Sequence, residues 1–560
     1  MKRLLVLGFI VCALVANLFT SRAKAQQGDA NAPSRASVSR PNILWLIADN
    51  IGPDLGCYKT PLVRTPRIDQ LAAEGLRYTK AFSTVPICAP SRSAFMTGRH
   101  AISIDAQHMR SHRHDHYRLP DGIRPISQLL ADDGYHTANI RLLGDKMVGT
   151  CKVDLNFEVV GSPLRETDAD RKRRQDALAA PEGNTVDSRV LDVENEIRQY
   201  HTDQWNDLKN HQPFFAQINF PIAERPGRER GPGSGWVGSQ DAPAFGDQVH
   251  PAVIDPADVE MPPYYPDHPV ARKDWAGYLD CVCGLDSRVG EILDRLESDG
   301  LADNTIVVFF SDQGRIEIRG IGWCYDRGNH VPLIVRWPKS FPAPPQYSTG
   351  GVDARLVSLL DLAATTLAIA GSPKPDWMPR SRVFLGAESD PPRKYVFTHR
   401  DRHDEVVQRI RSVRNDRYRY IRNYIPERPF LFYHGHKDAM YPVIGLLREL
   451  HPQGKLSPAA EALMKPRMPD EELYDLQNDP FEIHNLAESS QPGIRQVRDE
   501  LRQAVDQWIT ATNDTGQELE SPELVKKYID VMYGRWGTPP DTLKPPFVYQ
   551  APYWTRDDQQ

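Results

Sequence analysis

Cysteine is scarce in this chain: seven residues in 560, one of which, Cys12, falls within the first 25. That density excludes a disulfide-dense scaffold, and the absence of any Cys-x-x-Cys pair excludes a zinc ribbon. Cys281 and Cys283 are one residue apart in a stretch of helical character, where they project about 200° apart and read as packing residues. Charge of one sign is lacking too. Lys and Arg number 68 against 74 Asp and Glu, for a net −6, which excludes both a nucleic-acid-coating protein and an acidic disordered chain. There is no internal repeat and no low-complexity tract, and no apolar run beyond residue 19 is long enough to cross a bilayer.

Proline, by contrast, is plentiful at 47, which fits long structured loops rather than a helical bundle. Lys2 and Arg3, an apolar run over residues 4–19 and Ala23-Lys-Ala25 form the three parts of a secretory signal. The expectation is cleavage after Ala25 and an exported chain, periplasmic or secreted, with no stable membrane span afterwards. Residues 26–39 read as a linker. Continuously apolar runs at residues 42–48, 214–220, 305–310 and 332–337, separated by helical stretches such as 67–74 and 289–296, predict an α/β fold. Its large, mostly parallel sheet is sandwiched by helices over residues 40–392. From about residue 393 the texture becomes alternating and charge-rich, as in Val413-Arg-Asn-Asp-Arg-Tyr-Arg-Tyr-Ile-Arg422. This predicts a smaller C-terminal α+β subdomain over 393–515, with a half-exposed antiparallel sheet and an amphipathic helix through Ile494, Val497, Leu501, Val505 and Trp508. Residues 516–560 read as an extension wrapping the surface.

The most informative segment is Ile87-Cys-Ala-Pro-Ser-Arg-Ser-Ala-Phe-Met-Thr-Gly-Arg99. Pro90 and Ser91 open a helix with Cys88 at its N-terminus, where free N–H groups attract an anion, and Arg92 returns to the same face one turn on. A cysteine phosphatase loop needs Cys-x5-Arg, but Ala94 occupies the sixth place, which disfavours thiolate phosphatase chemistry. The segment resembles the Cys-x-Pro-Ser-Arg signature of type I sulfatases in the alkaline phosphatase superfamily. The resemblance extends to Thr65-Pro-Arg-Ile-Asp-Gln-Leu-Ala-Ala-Glu-Gly75, Ser311-Asp-Gln-Gly314, Tyr325-Asp-Arg-Gly-Asn-His330 and Leu473-Tyr-Asp-Leu476, covering about residues 40–490. Its texture is closest to bacterial heparan N-sulfatase-like enzymes.

That resemblance implies an alkaline phosphatase-like fold and a maturation enzyme that converts Cys88 to formylglycine. Sulfate transferred to one hydroxyl of the hydrated aldehyde would be expelled by the other. It also implies one Ca²⁺ ion held by Asp49, Asn50, Asp312 and Gln313 together with the modified Cys88. Their oxygens suit a hard ion rather than Zn²⁺, although Asp-Asn and Asp-Gln-Gly are equally turn formers. The family has a second acid where Asn50 stands. Lys152 falls at the sulfate-binding lysine; Asp154, Glu224 and Ile321 replace a histidine, a second histidine and a second lysine, with only Arg319 or Arg315 near enough to compensate for the last. Glu224 is either a proton donor to the leaving oxygen, provided its pKa is raised, or a surface acid of a loop. The five histidines His100, His108, His112, His114 and His116 could bind metal, face an anionic substrate, or be a solvated loop. His108, Arg319, His399 and Arg402 are candidate contacts to a sulfated glycan. Two other functions remain open: a phosphonate or phosphate ester hydrolase, and a catalytically silent glycan-binding protein on the same fold.

Overall fold

The computed structural model describes residues 40–110, 116–150, 152–179, 186–224, 253–518 and 520–539. The secretory signal, the linker, and His112 and His114 lie outside these residues. The six long strands of the large sheet are β1 (Asn42–Ala48), β2 (Leu76–Phe82), β3 (His136–Leu143), β4 (Phe214–Phe220), β5 (Thr305–Ser311) and β6 (His330–Arg336). They lie side by side in the order β2-β6-β5-β1-β4-β3, and short edge strands bring the sheet to ten. β1 runs parallel to β4 and β5, β3 parallel to β4, and β6 antiparallel to β5 and β2. β1, β4 and β5 are buried along their whole length, as their unbroken apolar sequences require of a sheet covered on both faces. Leu44, Leu46, Ala216 and Phe309 enter one core with the long helix α3 (Pro269–Ser298); Ile43, Trp45, Phe215 and Phe310 enter the core on the other face.

Two further helices frame the site. α1 (Pro66–Glu74) starts at Thr65 with proline in its first turn, and α2 (Cys88–Thr97) begins at Cys88 itself and is stopped by Gly98 in the left-handed conformation, with φ 63°. Cys281 and Cys283 are buried on α3, and Cys283 accepts a hydrogen bond from the Arg64 backbone N–H at 3.4 Å.

The described residues from 41 onward form one compact unit. Its second sheet is four-stranded and antiparallel: β7 (Val396–Arg400), β8 (Ile410–Arg414), β9 (Tyr418–Asn423) and β10 (Glu471–Asp475). Helix α5 (Pro492–Thr512) packs Leu501, Val505 and Trp508 onto Val413 and Tyr420, in line with its apolar spacing. The sheet is not half-exposed, however. Arg411, Arg414 and Arg419 are buried because acids distant in sequence meet them: Asp401 and Asp514 flank Arg411 at 2.9 and 2.7 Å, and Asp326 holds Arg414 and Arg419. Alternating charge normally marks a solvent face, and here it marks buried pairing instead. Within the extension, residues 522–536 form a helix. A short helix, α4 (Gly435–Met440), lies in the connection between β9 and β10, and the helix of the extension is α6 (Pro522–Trp536).

Candidate active site

Parallel strands end together, so the C-terminal ends of β1, β4 and β5 deliver Asp49, Asn219 and Asp312 to one place. The N-terminus of α2 faces it. Arg92 fills the gap between them: Nε donates to Asp312 Oδ2 at 3.0 Å, Nη1 to Asn219 Oδ1 at 2.6 Å and Nη2 to Asp49 Oδ1 at 2.6 Å. Ser91 Oγ donates to the Asp312 carbonyl at 2.6 Å, tying the helix start to the strand end. Lys152 Nζ reaches the other Asp49 oxygen at 3.0 Å and Glu224 Oε1 at 2.8 Å. Gln313 donates to Asn50 Oδ1 and to Cys88 Sγ, the latter at 3.3 Å. Asn50 has φ 62°, a left-handed conformation that asparagine tolerates better than most residues.

Burial raises the cost of every charge here, and pairing decides which charges persist. Against that burial, Lys152 and Arg92 hold the Asp49 carboxyl below the usual carboxylate range. Burial and then Asp49 push Asp312 upward. Burial pulls Lys152 down, but Asp49, Cys88 and Glu224 together outweigh it and carry the ammonium well above the ordinary lysine value. Burial raises Glu224, Lys152 opposes the rise and Asp49 adds to it; its side chain is 33% exposed, so solvent moderates the shift. The Cys88 thiol is pushed well above its ordinary value, chiefly by burial. As a plain thiol it is a poor nucleophile at neutral pH.

Cys88, Asn50 and Glu224 open onto a cleft of about 260 Å³ whose far side is formed by Arg110, His403, Asp404, His436, Arg535 and Trp536. The predicted residues Asp49, Asn50, Cys88, Arg92, Lys152, Glu224, Asp312 and Gln313 are therefore brought together. The four predicted glycan contacts are not on this cleft. Arg319 is buried with its guanidinium over Tyr325 at 3.9 Å and donates to the Glu482 carbonyl. His399 is buried beside Asp401 at 3.2 Å, Arg402 is paired with Glu520, and His108 lies 3.4 Å from that same Glu520. Each of the four instead lies against a partner that is remote from the cleft. The described histidines of the His100–His116 stretch are also dispersed: His100 packs on Trp508 and His116 lies beside Glu158.

Sequence reasoning missed Asn219, hidden in an apolar strand, although its place at the end of β4 was a usable signal. It also gave Asp154 no role beyond marking a replaced histidine; Asp154 is 8% exposed and its charge bears on both Cys88 and Arg92. His403, Asp404 and His434 offer ligand atoms within 4.8 Å of one another. The Arg400 charge bears on both imidazoles, however, and opposes a divalent cation there. The strand-end group is the better cation site: two carboxylates, one amide oxygen, and Gln313 Oε1, which is buried and has no hydrogen-bond partner among the described residues. That all-oxygen set fits Ca²⁺.

With this geometry in place, the comparisons are decisive. The sulfatase family model matches residues 41–372. The chain belongs to the sulfatase family. It is thus a sulfuric ester hydrolase, on a mixed, mostly parallel α/β fold. The model of the N-sulphoglucosamine sulphohydrolase C-terminal region matches residues 321–442. An ulvan-active sulfatase of Formosa agariphila is 31% identical over 87% of this chain and 78% of its own length. Among solved structures, a 2-O GAG sulfatase has a TM-score of 0.52 at 20% identity, covering 87% of this chain and 96% of its own. A phosphonate monoester hydrolase from Silicibacter pomeroyi has a TM-score of 0.54 at 16% identity, covering 86% and 97%. At such identities these two likenesses speak to the fold, which is alkaline phosphatase-like.

Proposed function

We propose that this sulfatase is exported and removes O- or N-linked sulfate from a sulfated carbohydrate, using formylglycine formed at Cys88 by a separate maturation enzyme. The observation that carries the reading is Cys88 at the start of α2, 3.3 Å from Gln313, beside an Arg92 fixed by both strand-end carboxylates. A plain thiol raised by burial has no evident use in that position, whereas the formylglycine diol would supply an attacking hydroxyl and a route to expel sulfate.

Asp49, Asn50, Asp312 and Gln313 would hold one Ca²⁺, whose charge would favour the sulfate oxygens. Arg92 orients the two carboxylates and keeps positive charge beside the nucleophile. Lys152 stands between Asp49 and Glu224, placed to bind sulfate and to keep Glu224 oriented. Glu224, at the cleft and raised by burial, is the proton donor to the leaving oxygen.

Phosphonate or phosphate ester hydrolysis is the second reading, supported by the fold likeness to a phosphonate monoester hydrolase. Among the described residues Arg92 and Lys152 are the cations in contact with Asp49, which favours the less charged sulfate ester over a phosphate monoester. The test is mass spectrometry of the Cys88 peptide after coexpression with a maturation enzyme, alongside assays on aryl sulfate and aryl phosphate. Formylglycine with faster sulfate release is expected. An unmodified thiol in an active preparation would overturn the mechanism, and much faster phosphate turnover would reverse the choice of ester. No described helix is long and apolar enough to cross a membrane.

A further inference from the structure

Two residues on the outer wall of the cleft hold left-handed backbone conformations: Arg110 has φ 56° and Asp404 φ 51°. Aspartate tolerates that region and arginine seldom enters it. The two lie 294 positions apart, yet Arg110 Nη1 donates to Asp404 Oδ1 at 3.2 Å. One buried side chain holds them side by side. The Arg402 guanidinium donates to the Met109 carbonyl at 3.2 Å and to the Asp404 carbonyl at 2.8 Å, while the Met109 N–H donates to the Arg402 carbonyl at 2.9 Å. Tyr528 of α6 donates its hydroxyl to the Arg110 carbonyl at 2.7 Å, and its ring carries the Arg402 guanidinium at 3.7 Å. His403 and Val406 exchange backbone hydrogen bonds at 2.9 Å. Strained backbone persists only where its surroundings over-determine it. Arg402 does not line the cleft, but it fixes the two residues that do.

That support leaves a gap beside Asp404. Its Oδ1 is taken by Arg110, whereas Oδ2 lies 3.9 Å from His403 Nε2 and 3.7 Å from His434 Nε2, too far for a direct hydrogen bond to either. Gly322, with φ 81°, makes room for the His403 ring: a Cβ there would lie 2.8 Å from His403 Nδ1. Burial first, and then His434, holds His403 well below the ordinary histidine value, so the imidazole is neutral and can present an N–H at Nε2. An oxygen about 2.8 Å from each of Nε2 and Oδ2 spans the space between them. A hydroxyl suits both ends, since it donates to the carboxylate and accepts from the imidazole. An anion there would meet the Asp404 charge, and a divalent cation the Arg400 charge. His403 and Asp404 line the same cleft as Cys88.

We propose that His403 and Asp404 form a subsite for one free hydroxyl of the sugar whose sulfate is removed, the hydroxyl bridging His403 Nε2 and Asp404 Oδ2, with Arg110 as the positioning residue that orients the carboxylate. The inference rests on the reading of the cleft as a sulfated-sugar site and adds what the outer wall recognises. A sugar without that hydroxyl leaves the carboxylate oxygen and the imidazole N–H unpaired inside the closed complex, and is rejected. One that carries a second sulfate on that oxygen sets two anions against each other. A sugar linked onward through the same oxygen cannot donate to Asp404 and is refused as well, so the subsite selects a residue whose hydroxyl at that position is unsubstituted.

The experiment uses the full-length, formylglycine-bearing protein. A panel of monosulfated hexoses, hexosamines and uronic acids, O- or N-sulfated, identifies the sugar with the highest kcat/KM, and each of its free hydroxyls is then replaced in turn by hydrogen. One deoxy analogue should lose kcat/KM on the order of 10²-fold, the scale of a hydrogen bond to a charged group, and the others far less. Asp404→Gly suits the left-handed backbone while removing the carboxylate. In it the ratio between the parent sugar and that analogue should collapse to within about threefold, because the hydroxyl is no longer read. Asp404→Asn should keep more of the ratio than Asp404→Gly, and Arg110→Asn, which also tolerates its backbone, should lower it in part. A variant that is merely damaged slows parent and analogue alike; an unchanged ratio in Asp404→Gly would therefore overturn the subsite, as would equal losses for every deoxy analogue in the wild type. Should wild type release sulfate from no sugar of the panel, the functional reading fails. The subsite is then decided by calorimetric binding of the panel, and of the deoxy analogues of its tightest binder, to Cys88→Ala protein: a hydroxyl preference that Asp404→Gly erases supports it, and binding indifferent to Asp404, or no binding, refutes it.

Discussion

The two walls of the cleft are built on opposite principles. On the inner wall, Arg92, Asp49, Asp312, Lys152 and Glu224 form one continuous set of ion pairs at 2.6–3.0 Å between strand ends and a helix start. On the outer wall, residues 403–404, α4 and α6 meet through aromatic packing and neutral imidazoles, and His403 Nδ1 and His434 Nε2 have no hydrogen-bond partner among the described residues. The difference teaches where chemistry and selectivity reside. A reacting centre needs charges held in place before substrate arrives, and dense pairing in a dry site provides that. A recognition wall gains discrimination by leaving groups for the ligand to satisfy.

The contrast breaks most visibly at Arg92. Arg92→Ala should lower sulfate release on the order of 10²–10³-fold. It should also cost about 3–5 kcal/mol of stability, because Asp49 and Asp312 would be left as buried acids without their shared cation. Turnover together with thermal melting checks both; a fully active, fully stable variant would place Arg92 elsewhere. On the outer wall, the comparable cut is Glu520→Ala, which removes the partner of the buried Arg402 guanidinium. Roughly 3 kcal/mol should be lost locally. Hydrogen exchange should then rise in α6 while β1 and α2 stay protected, and sulfate release from a small aryl sulfate should fall far less than in Arg92→Ala.

Asn50→Asp sharpens the inner wall rather than breaking it. One more carboxylate in the cation site should tighten Ca²⁺ on the order of tenfold, the scale of 1.4 kcal/mol, with only a small change in rate. Chelator titration read by melting temperature measures it, and unchanged retention would argue that Asn50 is not a ligand. The smallest expected effect is acid sensitivity of the outer wall. His436 is lowered to about 3, by burial first and then by His434. Its folded value lies below the ordinary 6.5, so the unfolded chain takes up a proton that the folded one refuses, and stability falls as pH drops from about 6.5 toward 3. Glu405, raised to about 8 by burial and then Asp404, acts in the opposite sense: its contribution is present below about 4.5 and is lost as pH rises toward 8. In Glu405→Gln, therefore, protection of α4 should rise through pH 6.5 and keep rising above it, because burial also holds Lys437 of the same helix well below the ordinary lysine value, as hydrogen exchange at a series of pH values would show.

Much of the inner wall could be read without coordinates, for a local reason. Asp49 and Asp312 each close an apolar strand, and Cys88 and Arg92 share one helical turn, so short-range pattern marks each of them, while the resemblance to type I sulfatases is what grouped the strand ends with the helix start. The glycan contacts were chosen from the family resemblance of the 398–405 stretch and from nearby cations, and such signals do not report burial. His399, Arg402 and Arg319 are buried beside Asp401, Glu520 and the Tyr325 ring. Arg411 makes the same point, since its partner Asp514 lies 103 residues away.

The amino-acid sequence by itself determined the strand-and-helix alternation, the apolar faces of the large sheet and the identity of the nucleophile segment, because all three depend on residues within one or two turns or pleats of each other. Only the tertiary structure decided which arginines are buried, that Asn219 receives Arg92, and that α6 closes the cleft. Most of those contacts join residues about ninety or more positions apart, and whether a charge at such a distance finds a partner or meets water depends on how whole elements pack.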